Sequence, residues 1–277
     1  MIVMNPSELV DLIRKSLDDF YQRRMKKLTE LKLSSVLRKK NPYLFRAVGV
    51  QMATEIVTEI LQAYMSSSDE TIFGDAFFEP IAKLCSGGNV SPSEGVDVAI
   101  ETDTVYKAVA VKSGPNIFNS SQAKRQDQEF KSLRSRLLKL HKQYDALLGH
   151  AYGRRFSDPR DNRIYRIRSG QAFWEELTGD PDFYIKLIYL MRDYPRQHRT
   201  DFDIEWAKAI NRFEHDFLNN FGNPDGSIDW EKLLRYNSGK ENVPWVSKLV
   251  PVISTEDQDD NSDDMDEVDS DEEVLDE

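Results

Sequence analysis

Cysteine and long apolar runs are scarce in this sequence, and each absence narrows the class of protein. The single cysteine, Cys85, excludes an internal disulfide and a zinc site built on cysteines. That usage is typical of a reducing, cytoplasmic setting. No apolar run approaches the ~20 residues that a membrane-spanning helix needs. The first residues also lack the basic segment and apolar core of a secretory signal. We therefore expect a cytoplasmic protein that does not cross a membrane.

Histidine is also sparse, and its spacing does not indicate a metal site. The chain has 4 histidines, and none of them shows the spacing of a zinc-ligand pair. The glycines at residues 87–88 and 149–153 do not match a phosphate-binding fingerprint. The sequence thus gives no indication of a zinc enzyme or of a glycine-rich nucleotide-binding loop.

The charge is distributed unevenly between the body of the chain and its end. The net charge is −11, but residues 256–277 hold 14 acidic residues and no basic ones. The rest of the chain has 37 basic and 34 acidic residues, and this mildly basic balance permits nucleic-acid binding. The acidic segment is too charged to fold alone. It is either a solubilising extension or a polyanion that competes with nucleic acid for the body.

The order of predicted elements indicates an α/β (α+β) fold with one mixed sheet. A long helix starts at the Asn5-Pro6 cap and continues to Asn41-Pro42. A second helix is predicted over residues 45–65, followed by a loop at residues 66–69. Later elements are a short helix, a hairpin, a helix capped at residues 119–121, two strands and a helical C-terminal half. The later helix includes Tyr144, and the two strands cover residues 146–152 and 163–167.

The hairpin carries the most informative pair of charges in the chain. A two-residue turn at Asp103-Thr104 would place Asp97 opposite Ala110. Because side chains alternate along a strand, Asp97, Ala110 and Lys112 then share one face with Ala108. A carboxylate and an ammonium group suit a site that holds a divalent metal against a phosphodiester, and the two alanines would leave room for both. The same pattern also fits a buried structural ion pair or an edge strand.

Several stretches of the chain resemble one family of nucleases. An acid on one strand and a lysine on the next are similar to the PD-(D/E)XK nuclease core. The residues after that lysine resemble the PmeII-like group of type II restriction endonucleases, which share the string KSGPN…NSSQ. The similar stretches lie at residues 40–46 (KNPYLFR), 73–79 (FGDAFFE), 112–122 (KSGPNIFNSSQ), 165–174 and 223–230 (NPDGSIDW).

This resemblance implies a fold, a cofactor and a set of site residues. The fold would be a restriction-endonuclease-like core, a mixed β-sheet flanked by helices, with helical N- and C-terminal additions. Asp97 would be the central Mg²⁺ ligand, together with Glu79 and the carbonyl of Val111. Lys112 would lie beside the scissile phosphate. The implied division is a helical region at residues 1–44, a nuclease domain at residues 45–250 and a disordered acidic tail at residues 251–277.

The chain departs from the nuclease pattern at Ala110, where the core pattern has Glu or Asp. Alanine can neither bind a metal nor orient a water molecule. One interpretation is that the acid has migrated, so that Glu79 or Glu101 supplies the missing oxygen. The other is that the site is disabled and the chain is an inactive DNA- or protein-binding module.

The same resemblance predicts the substrate and its contacts. The expected activity is Mg²⁺-dependent, site-specific cleavage of double-stranded DNA by a homodimer, alongside a cognate DNA methyltransferase. A structure-specific repair nuclease is a further alternative. The arginine-dense residues 154–168 either bind DNA or form a solvated hairpin. The predicted DNA contacts surround a helix N-terminus: Ser113, Asn116, Asn119, Ser120, Ser121, Gln122, Lys124 and Arg125.

Overall fold

A five-stranded sheet forms the centre of the molecule in the computed structural model, which describes residues 5–91, 93–115, 120–137, 141–160 and 163–246. The strands lie in the order β1-β2-β3-β4-β5. Antiparallel pairing joins β1 to β2 and β2 to β3, whereas β3, β4 and β5 are parallel. The predicted mixed sheet is therefore confirmed. The strands are β1 (Asn89–Val90), β2 (Val98–Glu101), β3 (Val105–Lys112), β4 (Gln143–His150) and β5 (Arg166–Ser169).

Helices cover both faces of this sheet and extend beyond it, as the resemblance implied. A π-helical turn at Gly74–Phe78 lies between the fourth and fifth α-helices. The α-helices are α1 (Pro6–Glu30), α2 (Leu33–Leu37), α3 (Pro42–Ala47), α4 (Ala53–Phe73), α5 (Glu79–Ser86), α6 (Ser120–Leu137), α7 (Gln171–Thr178), α8 (Phe183–Met191), α9 (Tyr194–Phe221) and α10 (Trp230–Ser238). No helix within the described residues is long and apolar enough to cross a membrane.

Within β2 the register of the β2–β3 hairpin is the predicted one, but Asp97 precedes β2 and its N–H donates to the carbonyl of Val109, so the predicted pairing with Ala110 is not formed. Val98 pairs with Val109, and the N–H of Thr102 donates to the carbonyl of Val105 at 2.9 Å across the turn. Side-chain alternation then separates the two faces of the hairpin. One face packs against α1, α5, α7 and α8 through Val98, Val109 and Val111. The other face packs beneath Phe130 and Leu133 of α6.

A separate helical core lies beside the sheet. It joins α4, α9 and α10 through the buried side chains Ile56, Phe213 and Leu233, among others. The long helix α1 contributes to both cores, because Ile13 packs with the sheet cluster and Leu28 packs with the helical cluster. The predicted domain boundary at residue 44 falls within α3 and remains a prediction. The predicted acidic tail lies outside the described residues.

Several predicted element boundaries are wrong. The helix predicted over residues 45–65 is divided into α3 and α4, because the chain leaves the helical conformation at Gly49, where φ is +84°. The first helix ends at Glu30 rather than near residue 41, because Leu31 and Lys32 adopt extended conformations. Residues 66–69 are helical within α4. The buried Met65 and Ile72 continue the packed face there, and Arg24 forms an ion pair with Asp69 at 2.9 Å. Tyr144 belongs to β4 rather than to the preceding helix.

Candidate active site

Three predicted site residues from three separate segments lie together at one end of the β2–β3 hairpin. Asp97 directly precedes β2, Lys112 ends β3, and Glu79 begins α5. The Nζ of Lys112 lies 3.5 Å from Oδ2 of Asp97. The charge of Glu79 interacts with the charges of both residues. This structure thus brings a carboxylate, a second carboxylate and an amine into one cluster.

Asp97 is held in place by main-chain hydrogen bonds from the neighbouring strand. The N–H of Val111 donates to Oδ2 of Asp97 at 2.6 Å, and the N–H of Asp97 donates to the carbonyl of Val109 at 2.9 Å. In a β-strand, the N–H and the C=O of one residue point towards the same neighbouring strand. We therefore expect the carbonyl of Val111 to face the side on which Asp97 lies.

The π-helical turn Gly74–Phe78 brings Glu79 to the cluster from the neighbouring helix. Such turns occur frequently at functional sites, because one extra residue per turn redirects the side chains beyond it. Burial penalises the charged form of Glu79, and the nearby carboxylate of Asp97 repels it further. The positive charge of Lys112 favours the charged form of Glu79 and so lowers its pKa. Together these effects raise the pKa of Glu79 from 4.5 to about 7.

A cavity of about 630 Å³ opens beside these residues. Its walls include residues of α4 that the sequence did not suggest, because residues 66–69 have the composition of a loop. The helical spacing of Leu61, Met65 and Ile72 was the available signal that α4 continues. The lining residues are Ser66, Ser67, Glu70, Thr71, Gly74, Asp75, Glu79, Val111, Lys112, Ser113 and Tyr152.

The oxygen atoms in the cluster are suitable ligands for Mg²⁺, although they are few. Mg²⁺ prefers carboxylate and carbonyl oxygens and keeps several water molecules. Asp97, Glu79 and the carbonyl of Val111 provide donors of this kind. The repulsion that raises the pKa of Glu79 would be relieved by a cation between the two carboxylates. Across the described ranges, no group of three or more His, Cys, Asp and Glu side chains is arranged to hold a metal ion.

The position that departs from the nuclease pattern is buried in the core. Ala110 is 0% exposed and packs in the cluster that contains Phe130 of α6. The expectation that Ala108 and Ala110 leave room for metal and phosphate is wrong, because α6 covers both. Glu101 lies at the other end of β2, where it forms an ion pair with Lys142 at 2.6 Å. Of the two candidates for a migrated acid, only Glu79 reaches the cluster.

The predicted DNA contacts occupy different environments. Ser113 is only 3% exposed, and its hydroxyl donates to the carbonyl of Glu70 at 2.9 Å. Ser121, Gln122 and Lys124 are exposed on the first turns of α6, whereas Arg125 forms ion pairs with Glu94 and Glu129. Asn116 and Asn119 lie outside the described residues, as does the side chain of Ser120.

The arginine-dense stretch has two kinds of arginine. Arg166 forms ion pairs with Asp145 and Glu176, each at 2.6 Å, and therefore belongs to a structural network. Arg154 and Arg155 have no ion-pair partner among the described residues. They line a cavity of about 850 Å³ with aromatic walls that include Tyr152 and Trp174.

His150 lies beside Lys112 as its partner on the parallel strand β4. Its Nδ1 is 2.8 Å from the hydroxyl of Ser169, and the side chain is almost fully buried. Burial, together with the positive charges of Arg155 and Lys112, lowers the pKa of His150 to about 4. The imidazole is therefore neutral at physiological pH and adds no charge to the site.

A family model of type II restriction endonucleases matches residues 7–198, which include Glu79, Asp97 and Lys112. The match spans more than half of the chain and places it among the enzymes that cleave DNA at specific sites. The chain belongs to the family of the type II restriction endonuclease EcoO109I. No protein with curated annotation matches it significantly. The finer assignment to the PmeII-like group remains a prediction.

Proposed function

We propose that this type II restriction endonuclease cleaves double-stranded DNA in a Mg²⁺-dependent reaction at the cluster of Asp97, Lys112 and Glu79. The supporting observation is the convergence of these side chains, with 3.5 Å between Lys112 Nζ and Asp97 Oδ2, at an open cavity. Within the PD-(D/E)XK pattern, Glu79 would replace the acid that is missing at Ala110.

In this proposal, Asp97, Glu79 and the carbonyl of Val111 hold the metal ion. When bound, Mg²⁺ would supply Lewis-acid polarisation of the phosphodiester and charge neutralisation. The ammonium group of Lys112 would bind a non-bridging oxygen of the scissile phosphate and stabilise the negative charge that develops there. Val111 would keep Asp97 oriented through its 2.6 Å hydrogen bond.

DNA would enter along the start of α6. The hydroxyl of Ser121, the amide of Gln122 and the cation of Lys124 lie on its first turns, where the helix dipole also favours phosphate. Such contacts would fix the register of the duplex without reading its sequence. Arg154 and Arg155, which line the aromatic cavity, are further candidates for contacts with the DNA backbone.

The enzyme would act as a homodimer, because cutting both strands of a two-fold site requires two active sites. The long helix α1 is a poor dimer element, since its apolar side chains are buried within the same chain. Helix α8 is a better candidate. Its outer side exposes Ile188 and Tyr189, at 67% and 75%. A cognate DNA methyltransferase that protects the host sites would belong to the same system.

A catalytically inactive module is the second candidate function. It is favoured by the alanine at position 110, because this residue removes an acid that the nuclease pattern places next to the metal. Such a module would bind DNA through the same surface, and Asp97→Asn would leave its binding unchanged. A structure-specific repair nuclease would instead cut at distorted or branched DNA without regard to sequence.

Digestion of unmethylated phage DNA with Mg²⁺, followed by mapping of the fragment ends, separates these possibilities. We expect discrete fragments with 5′-phosphate ends, and a loss of at least ~100-fold in rate for Asp97→Asn and Lys112→Ala. Asp201→Asn and Lys208→Ala change the same residue types on α9 and should cut normally. Binding without cutting would establish the inactive module, and fragments with random ends would indicate a repair nuclease.

A further inference from the structure

The separation between Lys112 and Glu79 depends on how two elements are joined. Lys112 ends β3, whereas Glu79 comes directly after the π-helical turn that continues from α4. The two elements meet at Ser113, the residue directly after Lys112, and at Gly74, the first residue of the π-helical turn. A role for this junction in catalysis rests on the nuclease function proposed for the cluster.

A hydrogen bond and a close contact join the elements at this point. The hydroxyl of Ser113 donates to the carbonyl of Glu70 at 2.9 Å, and the N–H of Gly74 donates to the same carbonyl. Gly74 has no room for a side chain, because a Cβ atom there would lie 2.6 Å from the Oγ of Ser113. Both residues are buried. The end of α4 is therefore held against the end of β3, and no side chain fits between them at Gly74.

The side chain of Glu70 provides a second connection to the same region. Its Oε1 accepts a hydrogen bond from the hydroxyl of Tyr152 at 2.7 Å. The Tyr152 ring occupies the space beside Gly114, where a Cβ atom would lie 2.2 Å from the ring carbon Cζ. The N–H of Tyr152 in turn donates to the carbonyl of Ser113 at 3.1 Å.

We propose that Ser113 and Gly74 are positioning residues that set the separation between the amine of Lys112 and the carboxylate of Glu79. In this proposal, Lys112, Ser113 and Gly114 each have a different role. Lys112 contacts the phosphate, Ser113 fixes α4, and Gly114 makes room for Tyr152. Ser113 contributes to the site through Glu70 rather than by contact with DNA.

A double-mutant cycle on the full-length protein tests this arrangement. Ser113→Ala removes the hydrogen bond, and Gly74→Ala introduces the close contact. Each should lower the single-turnover cleavage rate by about 10- to 100-fold through misplacement of the reacting groups, with DNA binding nearly unchanged. In the double variant the nearest atoms to the new Cβ are 3.9 Å away. Its rate should therefore stay within about threefold of Ser113→Ala alone instead of showing the product of both losses.

Ser86→Ala is the matched control, because Ser86 is also buried and donates to a main-chain carbonyl, that of Lys83 at 3.1 Å. It should lower the thermal midpoint without changing the cleavage rate. Multiplicative losses in the double variant would overturn the proposal. So would equal effects of Ser86→Ala and Ser113→Ala on the rate.

The same cycle distinguishes failure of this proposal from failure of the proposed function. If the wild-type protein does not cut DNA, the proposed function fails. Thermal midpoints of the wild type, the two single variants and the double variant still test the contact. Alanine favours a helix more than glycine does, so a loss of stability in Gly74→Ala would come from the close contact rather than from helix propensity. Gly74→Ala should destabilise the wild type but not the Ser113→Ala protein. A crystal structure of Gly74→Ala in which Glu79 keeps its position relative to Lys112 would overturn the proposal in either case.

Discussion

The carboxyl group of Glu79 lies half-buried beside the carboxylate of Asp97, and its pKa is about 7 because partial burial and this neighbouring charge both disfavour ionisation. A metal ligand must be deprotonated, so protons and metal compete for Glu79. We predict that cleavage at low Mg²⁺ concentration rises with pH and levels off above about pH 7. Saturating Mg²⁺ should shift the midpoint to lower pH. Initial rates across a pH range that spans this pKa measure the shift, and a midpoint independent of Mg²⁺ concentration would contradict it.

The raised pKa of Glu79 also predicts how stability depends on pH in the absence of metal. Between pH 4.5 and about pH 7, the folded protein binds a proton at Glu79 that the unfolded chain has lost. This contribution to stability is complete below pH 4.5 and disappears as the pH rises through about 7. Glu79→Gln should therefore stabilise the protein at about pH 8, by roughly 2 kcal/mol after allowance for partial exposure.

Urea unfolding in EDTA measures that difference. At pH 4.5 the Glu79→Gln and wild-type proteins should be about equally stable. Glu59→Gln, an exposed substitution on α4, should show no pH-dependent change. If the Glu79→Gln protein is less stable than wild type above the pKa of Glu79, the prediction is wrong. The charged carboxylate would then be stabilised by its surroundings instead of being repelled by Asp97.

Some of this site could be predicted from the sequence, because it rests on short-range rules. The alternation of side chains and the two-residue turn at Asp103-Thr104 define the hairpin register, which places Asp97 near Lys112. The structure also places Glu79 beside them. That placement was expected only from the resemblance, since no spacing rule links a helix to a strand so far along the chain.

Other features depend on tertiary packing and were therefore missed. Residues 66–69 have the composition of a loop, but buried Met65 and Ile72 keep this stretch helical. The π-helical turn begins at Gly74, which packs so closely against Ser113 of a distant segment that a Cβ atom would not fit there. The burial of Ala110 depends on α6, whose position over the sheet is not encoded by the strand pattern itself.

Ala110 provides a test of whether the acid has moved to Glu79. Its side chain is 0% exposed and packs with Phe130 and Leu133. A glutamate there would bring an unpaired charge and extra volume into the core. We predict that Ala110→Glu lowers the free energy of unfolding by ~3 kcal/mol or more. Cleavage should not increase. Ala110→Ser, a smaller change, should keep most of the stability in urea unfolding, and a folded Ala110→Glu protein that cuts faster would contradict the migration.

The outer side of α8 provides a test of self-association. Ile188 is 67% exposed in the single chain, so a charge there costs little folding stability but would disrupt a symmetric apolar interface. We predict that Ile188→Glu converts a dimer to a monomer in analytical ultracentrifugation with an unchanged thermal midpoint. Plasmid cleavage should shift from linear product towards nicked circles. The control variant Ile204→Glu, at an exposed isoleucine of α9, should remain dimeric. If Ile188→Glu also remains dimeric, the interface does not involve this side of α8.

The 14 acidic residues at positions 256–277 allow a test of competition between the chain and DNA. If this segment occupies the mildly basic body as a polyanion, its removal should strengthen non-specific DNA binding most at low ionic strength. Electrostatic contacts between exposed charges weaken as salt screens them. We predict about tenfold tighter non-specific binding at about 50 mM salt after deletion of residues 255–277, and little change at about 300 mM. Fluorescence anisotropy with a random-sequence duplex measures the affinity at both salt concentrations.

A control that replaces the acidic residues with Asn and Gln at constant length should behave like the deletion, because charge rather than length is responsible. Equal affinities at the lower salt concentration would mean that the segment only keeps the protein in solution.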